Sequence, residues 1–393
     1  MKAIVNARIN PVIDEPFEGK VTFDNGVISD IGAEVDIPPD AEIVDARGAV
    51  VVPGLVEPHC HTGIHGEAEG PAGNDVNESH DAVTPHLRAL DGINPLDVGM
   101  QDAVRAGITT VNVGPGSANP IGGQFAALKT AGSPVVDERI ILQPTGMKMA
   151  TGENPKRVYG NQDKTPSVRP ATAALLRETL YEAREYLEEI ERKGPDDIDR
   201  DFKKEALRPV MEGKIPPRIH AHRADDIVTA VRICEEFGLC PVIEHCTEGH
   251  KVADLLAEKD IPVILGPFMS SRSKRELRER TFRTAGVLSE VGVEVALMTD
   301  SPVIPVQYLP LMAAFAVREG MDPDEALRAI TINPARICGI DQRVGSLEVG
   351  KDADLVILEG QPLDPRSRVQ HVFVNGEEIP VHTPPREGEM RTY

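Results

Sequence analysis

Val51-Val52-Pro53-Gly54-Leu55-Val56-Glu57-Pro58-His59-Cys60-His61 is the stretch on which the fold turns. An apolar run meets a Pro-Gly break, resumes, and ends His-Cys-His. Side chains on a strand alternate between faces, so residues i and i+2 share one; His59 and His61 therefore point together from the C-terminal end of a buried strand. Two imidazoles converging there supply half of a metal site. A His-x-His taken alone is more often a hydrogen-bonded pair beside a turn, and the sequence downstream is what favours ligation here.

Downstream, short apolar runs recur at Val50–Val56, Ile108–Val113, Arg139–Gln143, Ile219–His220, Pro241–His245, Ile261–Leu265 and Val293–Thr299. Helical stretches separate them: Ala173–Arg192 with a Glu/Arg-rich outer face, Ala224–Phe237, Gly249–Lys259, and Pro323–Gly339 with Asp322 as its N-cap. Strand–helix alternation argues for parallel βα units. Roughly eight units over about 250 residues is the size of a (β/α)₈ barrel. One strand is missing from the count between Val135 and Arg218, so Gln143–Met149 stays open between the third and fourth barrel strands.

The chain ends read differently. Residues 1–52 are strand-like, with Asn25-Gly26 between alternating apolar runs, and Val344–Pro380 repeats the style with Asn375-Gly376. Asn-Gly is a strong hairpin signal because both turn residues need positive φ. A small β module thus opens the chain and another closes it.

His220, His245 and Asp300 each end a predicted strand, as His59 and His61 do. In a βα barrel those ends meet at one mouth. Imidazole and carboxylate heads gathered there suit a borderline divalent cation such as Zn²⁺. Singly, each would more often cap or hydrogen-bond; jointly, chance explains them poorly.

VVPGLVEPHCH, the strand-end residues His220, His245 and Asp300, and the late segment Gly345-Ser346-Leu347-Glu348-Val349-Gly350-Lys351-Asp352-Ala353-Asp354-Leu355-Val356 together resemble the amidohydrolase superfamily, in its imidazolonepropionase and prolidase-like branch. The resemblance covers nearly the whole chain. It implies an α/β fold: a distorted (β/α)₈ TIM barrel over 53–342 and a small composite β-sandwich from 1–52 plus 343–393. It also implies His59 and His61 as first-strand ligands, His220 as the fifth-strand ligand, His245 as the sixth-strand histidine, and Asp300 as the eighth-strand carboxylate. Asp300 would both bind metal and take a proton from the attacking water, with His245 beside it as the second catalytic residue.

His222 shares a face with His220. His220 stands at the family's His-Ala position and is taken as the ligand, with His222 supporting it or touching substrate; the reverse assignment stays open. Lys148 is the candidate for the carboxylated lysine of binuclear members, against a lysine that neutralises a substrate carboxylate or pairs at the rim. Arg157 and Tyr159 would clamp a substrate carboxylate or else belong to a surface loop. Gly114–Gln124 offers backbone N–H groups, and Gln124 a side chain, to an anionic or carbonyl group, with a plain βα turn about as good a reading. His65 and His80 lie in a long polar segment with the composition of a lid. Ser270–Arg275 is a basic spot, read most simply as a solvated helix start.

Composition narrows the function. The 393 residues carry a formal charge of −21, and such a surface repels phosphate backbones and anionic headgroups. Aromatics are 4% with no Trp, which leaves little for base stacking. No run approaches a spanning helix, and the N-terminus lacks an apolar signal core; a cytoplasmic protein is expected. The five cysteines are scattered and read as reduced thiols. The expected activity is metal-dependent hydrolysis of the amide C–N bond of a small cyclic amide, N-acyl amino acid or dipeptide, with one or two Zn²⁺ or another divalent metal. The expected partner is that small molecule, without nucleic acid or membrane, and homo-oligomerisation is left open. Deamination of a cyclic amidine is the alternative, disfavoured because Ala221-His222-Arg223-Ala224-Asp225-Asp226 lacks the glutamate that such deaminases carry. A catalytically silent scaffold would have lost ligands, and all five are present.

Overall fold

The computed structural model describes residues 1–381; the last part of the expected C-terminal module, 382–393, lies outside the described residues. Five strands come first: β1 (Lys2–Ile9), β2 (Phe17–Asp24), β3 (Val27–Gly32), β4 (Glu42–Asp45) and β5 (Val50–Pro53). Ten follow: β6 (Leu55–Cys60), β7 (Ile108–Val113), β8 (Ile121–Gln124), β9 (Ala126–Lys129), β10 (Ile140–Leu142), β11 (Met147–Ala150), β12 (Pro217–Ala221), β13 (Val242–His245), β14 (Val263–Leu265) and β15 (Val295–Leu297). Three close the chain: β16 (Leu355–Glu359), β17 (Arg368–Val374) and β18 (Glu377–Ile379).

The two ends of the chain build one sheet, in the order β18-β17-β16-β5-β1-β2-β3 with β4 on β1. Both Asn-Gly turns form as read, with φ of 50° and 82° at Asn25 and Gly26 and 49° and 75° at Asn375 and Gly376. Ile4, Phe23 and Val51 from the first module pack with Leu355 and Phe373 from the last. Burial of each module's apolar face therefore depends on the other.

β11 to β15 pair in parallel, each joined to the next by a crossover, and β8 lies antiparallel on β11. β6 and β7 form a second parallel pair, extended by the antiparallel β9 and β10. The class is α/β, with the described strands in separate ladders rather than one closed ring. Side chains and loops span the gap between β6 and the end of β15. Glu57 Oε2 accepts from Thr299 N at 2.9 Å and Thr299 Oγ1 at 2.7 Å, and His61 N donates to Ser301 O at 2.8 Å.

Three expectations change. The run Val50–Val56 splits at Gly54, β5 going to the terminal sheet and β6 to the central one. A Cβ on Gly54 would stand 2.1 Å from Thr109 Oγ1, so only glycine lets the chain cross there. Arg139–Gln143 is not a parallel strand, because the short β10 turns back antiparallel onto β9. The missing strand is β11, fully buried, from within the ambiguous Gln143–Met149 stretch and its margin. Among the helices, Ala224–Phe237 matches its expectation residue for residue, Arg169–Lys193 is longer than expected, and Pro323–Gly339 breaks into Pro323–Arg328 and Ile332–Ile337. Asp322 caps the first of these by accepting from Asp324 N and Glu325 N.

Candidate metal centre

The C-terminal ends of β6, β12, β13 and β15 converge on a cavity of about 640 Å³. His59 is on β6 and His61 just past it; His220 is on β12 with His222 just past it; His245 ends β13; Asp300 follows β15. Asp300 Oδ1 lies 3.2 Å from His59 Nε2 and 3.3 Å from His61 Nε2. The His220 and His245 rings are 4.2 Å apart, and those of His222 and His245 4.7 Å. Ligand atoms of His59, His245 and Asp300 lie within 4.8 Å of one another, as do those of His220, His222 and His245.

Two of these residues reach the site through unusual backbone. On β13 the inward position belongs to Glu244, so alternation alone would turn His245 outward. His245 instead takes a left-handed φ of 68°, followed by Cys246 at 44°, and Asp300 does the same at 53°. Such conformations cost on the order of 1 kcal/mol or more each and gather at functional sites.

The donor set fits a divalent cation. Nδ1 of His61 contacts Gly114 O at 2.7 Å, Nδ1 of His245 Gly266 O at 3.0 Å, Nδ1 of His59 Glu244 Oε1 at 2.8 Å and Nδ1 of His222 Thr247 Oγ1 at 2.8 Å. In each ring Nε2 is left to face the centre, the arrangement that orients ligating histidines. His59 Nε2 is buried without a hydrogen-bond partner. A tetrahedral ion with ~2.05 Å bonds sets its ligand atoms about 3.3 Å apart, which is the Asp300 spacing. Burial pushes the imidazole of His220 down to about 4 and those of His222 and His245 well below their usual range, so all three are neutral, the ligating form. Burial alone would raise Asp300, but the imidazoles of His245, His59 and His61 outweigh it and hold the carboxylate ionised.

Beneath the histidines lies a charge network. Glu244, wholly buried, takes Arg218 Nε at 2.9 Å and His59 Nδ1 on one oxygen and Lys148 Nζ on the other. Arg218 is also fully buried, its guanidinium 4.2 Å from the Phe125 ring centroid. Lys148 lines the cavity, and burial lowers its pKa against the opposing pull of Glu244.

The remaining expected site residues divide. Arg157 and His65 line the cavity, and Arg157 makes no ion pair among the described residues. Tyr159 is off the cavity wall, because its hydroxyl is buried and donates to Asn119 Oδ1 at 2.5 Å. Gln124 is also off it, its amide donating to Pro85 O and its oxygen accepting from Gln143, both at 3.4 Å. His80 is an exposed partner of Glu78. Ser270–Arg275 is largely exposed and runs into the single 3₁₀ turn Arg275–Leu277, as a solvated helix start would, but Ser270, Ser271, Ser273 and Lys274 also form cavity wall. Glu244, Arg218, Asn154 and Glu276 escaped the sequence analysis. Glu244 alone carried a signal, since it sits beside His245 in an apolar strand where a charge needs a partner.

Histidines and an aspartate at the strand ends of a parallel α/β sheet, facing a polar cavity, make the working end of an enzyme. The chain belongs to the amidohydrolase family, whose model it matches over residues 50–379; it is a hydrolase acting on carbon–nitrogen bonds. It is 30% identical to amidohydrolase tasK of Hapsidospora irregularis across 91% of its own length, spanning 39% of that protein. It is 26% identical to the imidazolonepropionase of Mesorhizobium japonicum, covering 86% of each. The crystal structure of an amidohydrolase from Thermotoga maritima MSB8 matches with a TM-score of 0.93 at 45% identity, over 96% of this chain and 99% of that one. A prolidase complexed with N-methylphosphonate-L-proline shares the fold, with a TM-score of 0.62 at 18% identity over 96% and 99% of the two chains.

Proposed function

We propose that this chain hydrolyses the amide C–N bond of a small cyclic amide, N-acyl amino acid or dipeptide, using a divalent cation held by His59, His61, His220, His245 and Asp300. The catalytic body is the barrel of 53–342, closed between β6 and β15 through Glu57 and Thr299, with the terminal strands as its composite β-sandwich. When bound, the cation lowers the pKa of water and polarises the carbonyl. The convergence of Asp300 with the histidines carries this reading.

Asp300 is placed to hold the water's proton. As the water oxygen bonds to the carbonyl carbon, Oδ1 accepts that proton and then delivers it to the amide nitrogen as the C–N bond breaks. The ring of His245 flanks the carboxylate and favours its ionised form. Arg157 and Lys274 stand on the cavity wall as cations, suiting a carboxylate on the substrate. Imidazolonepropionase relatives and the prolidase ligand complex support small amides as substrates. The setting we infer is cytoplasmic; no helix among the described residues is long and apolar enough to cross a membrane.

The test is a screen of N-acyl amino acids, dipeptides and lactams on metal-reconstituted protein, repeated with Asp300→Asn. Wild type should turn over at least one class, and the variant should lose at least a hundredfold in kcat, the usual scale of general acid–base catalysis. Undiminished kcat in the variant removes Asp300 from the proton path.

A further inference from the structure

In a chain of formal charge −21, residues 270–283 carry six cations, Arg272, Lys274, Arg275, Arg278, Arg280 and Arg283, against two acids, Glu276 and Glu279. Ser270, Ser271, Ser273 and Lys274 of this segment line the cavity, while Arg272, Arg275 and Arg278 are exposed on its rim. Glu276 turns inward, its Oε1 2.6 Å from Lys274 Nζ, 3.6 Å from His222 Nε2 and 3.7 Å from His220 Nε2. The segment therefore runs from the histidines out to solvent. Glu276 pairs with Lys274 and Glu279 with Lys251, so none of the five arginines has a carboxylate partner among the described residues. Arg272 donates instead to the backbone carbonyls of Arg278 at 3.0 Å and Arg280 at 3.3 Å. Arg280 donates to Ser270 Oγ at 2.7 Å and Ser271 O at 3.1 Å.

Carbonyl oxygens fix these guanidiniums without cancelling their charge, and like charges held together repel. Burial and the neighbouring Arg272 both push Arg280 below the usual arginine range. Because Ser270 Oγ accepts from Arg280, its own hydrogen is left to donate to a ligand. Ser271 and Ser273 line the same wall, and their hydroxyls have no hydrogen-bond partner among the described residues. Asp300 is the only carboxylate lining the cavity among those residues; Glu67, Glu69, Asp75 and Glu78, from the polar segment after β6, are off its wall. Arg157 stands apart from the serines, on the helix Glu153–Gly160, and is also unpaired. Two separate cationic positions call for two anionic groups. We propose that the serine wall Ser270–Ser273, backed by Lys274 and the rim arginines, holds a second anionic group, so that the preferred substrate is a dicarboxylate with its other carboxylate at Arg157. The proposal rests on the hydrolase reading and narrows its substrates to acidic members, such as an N-acyl glutamate or a dipeptide ending in glutamate.

An acidic shell repels a dianion, and a local positive rim is what admits one. The two fields respond to salt with opposite signs. Screening the shell would raise capture of a dicarboxylate, whereas screening the rim lowers it. The Debye length falls from about 10 Å at 0.1 M salt to about 3 Å at 1 M, so the exposed Arg275 and Arg278 lose their reach while contacts inside the cavity persist.

The test offers metal-loaded full-length protein matched pairs from each amide class, one member with two carboxylates and the other with one carboxylate and one carboxamide. The pairs are N-acetylglutamate and N-acetylglutamine, alanylglutamate and alanylglutamine, and a lactam dicarboxylate and its monoamide. Within a pair that is turned over, kcat/KM should favour the dicarboxylate at least tenfold in dilute buffer, the lower end of electrostatic focusing. That ratio should shrink on raising NaCl to about 1 M, through KM rather than kcat. Arg275→Gln with Arg278→Gln, both exposed, should cut the ratio by about threefold or more, and Lys274→Met should cut it further. The salt series on wild type needs no variant and stands should either fail to fold. No preference within the pairs, a preference that grows with salt, or one unmoved by salt and by all the variants overturns the dicarboxylate subsite and leaves the hydrolase reading standing. No turnover of any member overturns both.

Discussion

Glu244 shows how much of the site depends on side chains that touch no substrate. One carboxylate serves Arg218, Lys148 and His59, all buried. Burial would raise its pKa, but His59, Lys148 and Arg218 outweigh that and keep it ionised. Through Nδ1 it fixes the ring of His59 so that Nε2 meets Asp300. Glu244→Gln should therefore weaken cation binding about 10–100-fold, the range seen when such orienting groups are removed, as measured by competition with a chelating dye; wild-type affinity would limit Glu244 to a packing role. At this scale the sequence was readable where period two suffices, for His59, His61 and His220. Asp300 and His245 were readable as strand ends that a βα barrel gathers at one mouth, but not in the left-handed backbone that aims them, which no alternation rule foresees. Glu276 was not readable, because an irregular turn far along the chain brings it to His220. Tyr159 and Gln124 misled because nearness in sequence to the cavity wall does not show which neighbour takes the polar atom.

Among the elements, the join between β5 and β6 matters most. The two strands are nearly continuous in sequence yet belong to different sheets, and the crossing needs a residue without a Cβ at Gly54. Gly54→Ala should destabilise the protein by roughly 1–3 kcal/mol through overpacking against Thr109, seen as a lower urea midpoint. Thr109→Ala in the same chain should restore part of the loss; no recovery would locate the damage elsewhere. The hairpins and the helix Ala224–Phe237 were legible because their signals are local. β10 and β11 were not, since an apolar run of that length fits either direction of pairing and only long-range contacts choose.

Over the whole molecule, the chain ends meet in one sheet and are tied to the central one by Lys129. Its buried ammonium pairs with Asp354 at 2.7 Å and Asp352 at 2.8 Å, both from the late Gly-Lys-Asp-Ala-Asp segment. Asp354 also accepts from Asn375 N at 2.9 Å, so one cluster joins β9, the approach to β16 and the last hairpin. Lys129→Met leaves two carboxylates facing each other and should cost about 3–5 kcal/mol, as removal of one partner from a buried pair does; chemical denaturation with an unchanged midpoint would show the tie to be idle. The overall charge of −21 says nothing of the site, where Arg157, Lys274 and Lys148 give the cavity wall a cationic share inside an acidic shell.

The central claim is that a cation held by the strand-end histidines and Asp300 drives C–N hydrolysis. The most direct measurement is metal content by mass spectrometry together with hydrolysis of an amide substrate, on one full-length preparation before chelation, after it, and after Zn²⁺ is returned. Bound metal and activity should disappear together and return together. Full activity in protein shown to be metal-free would contradict the account.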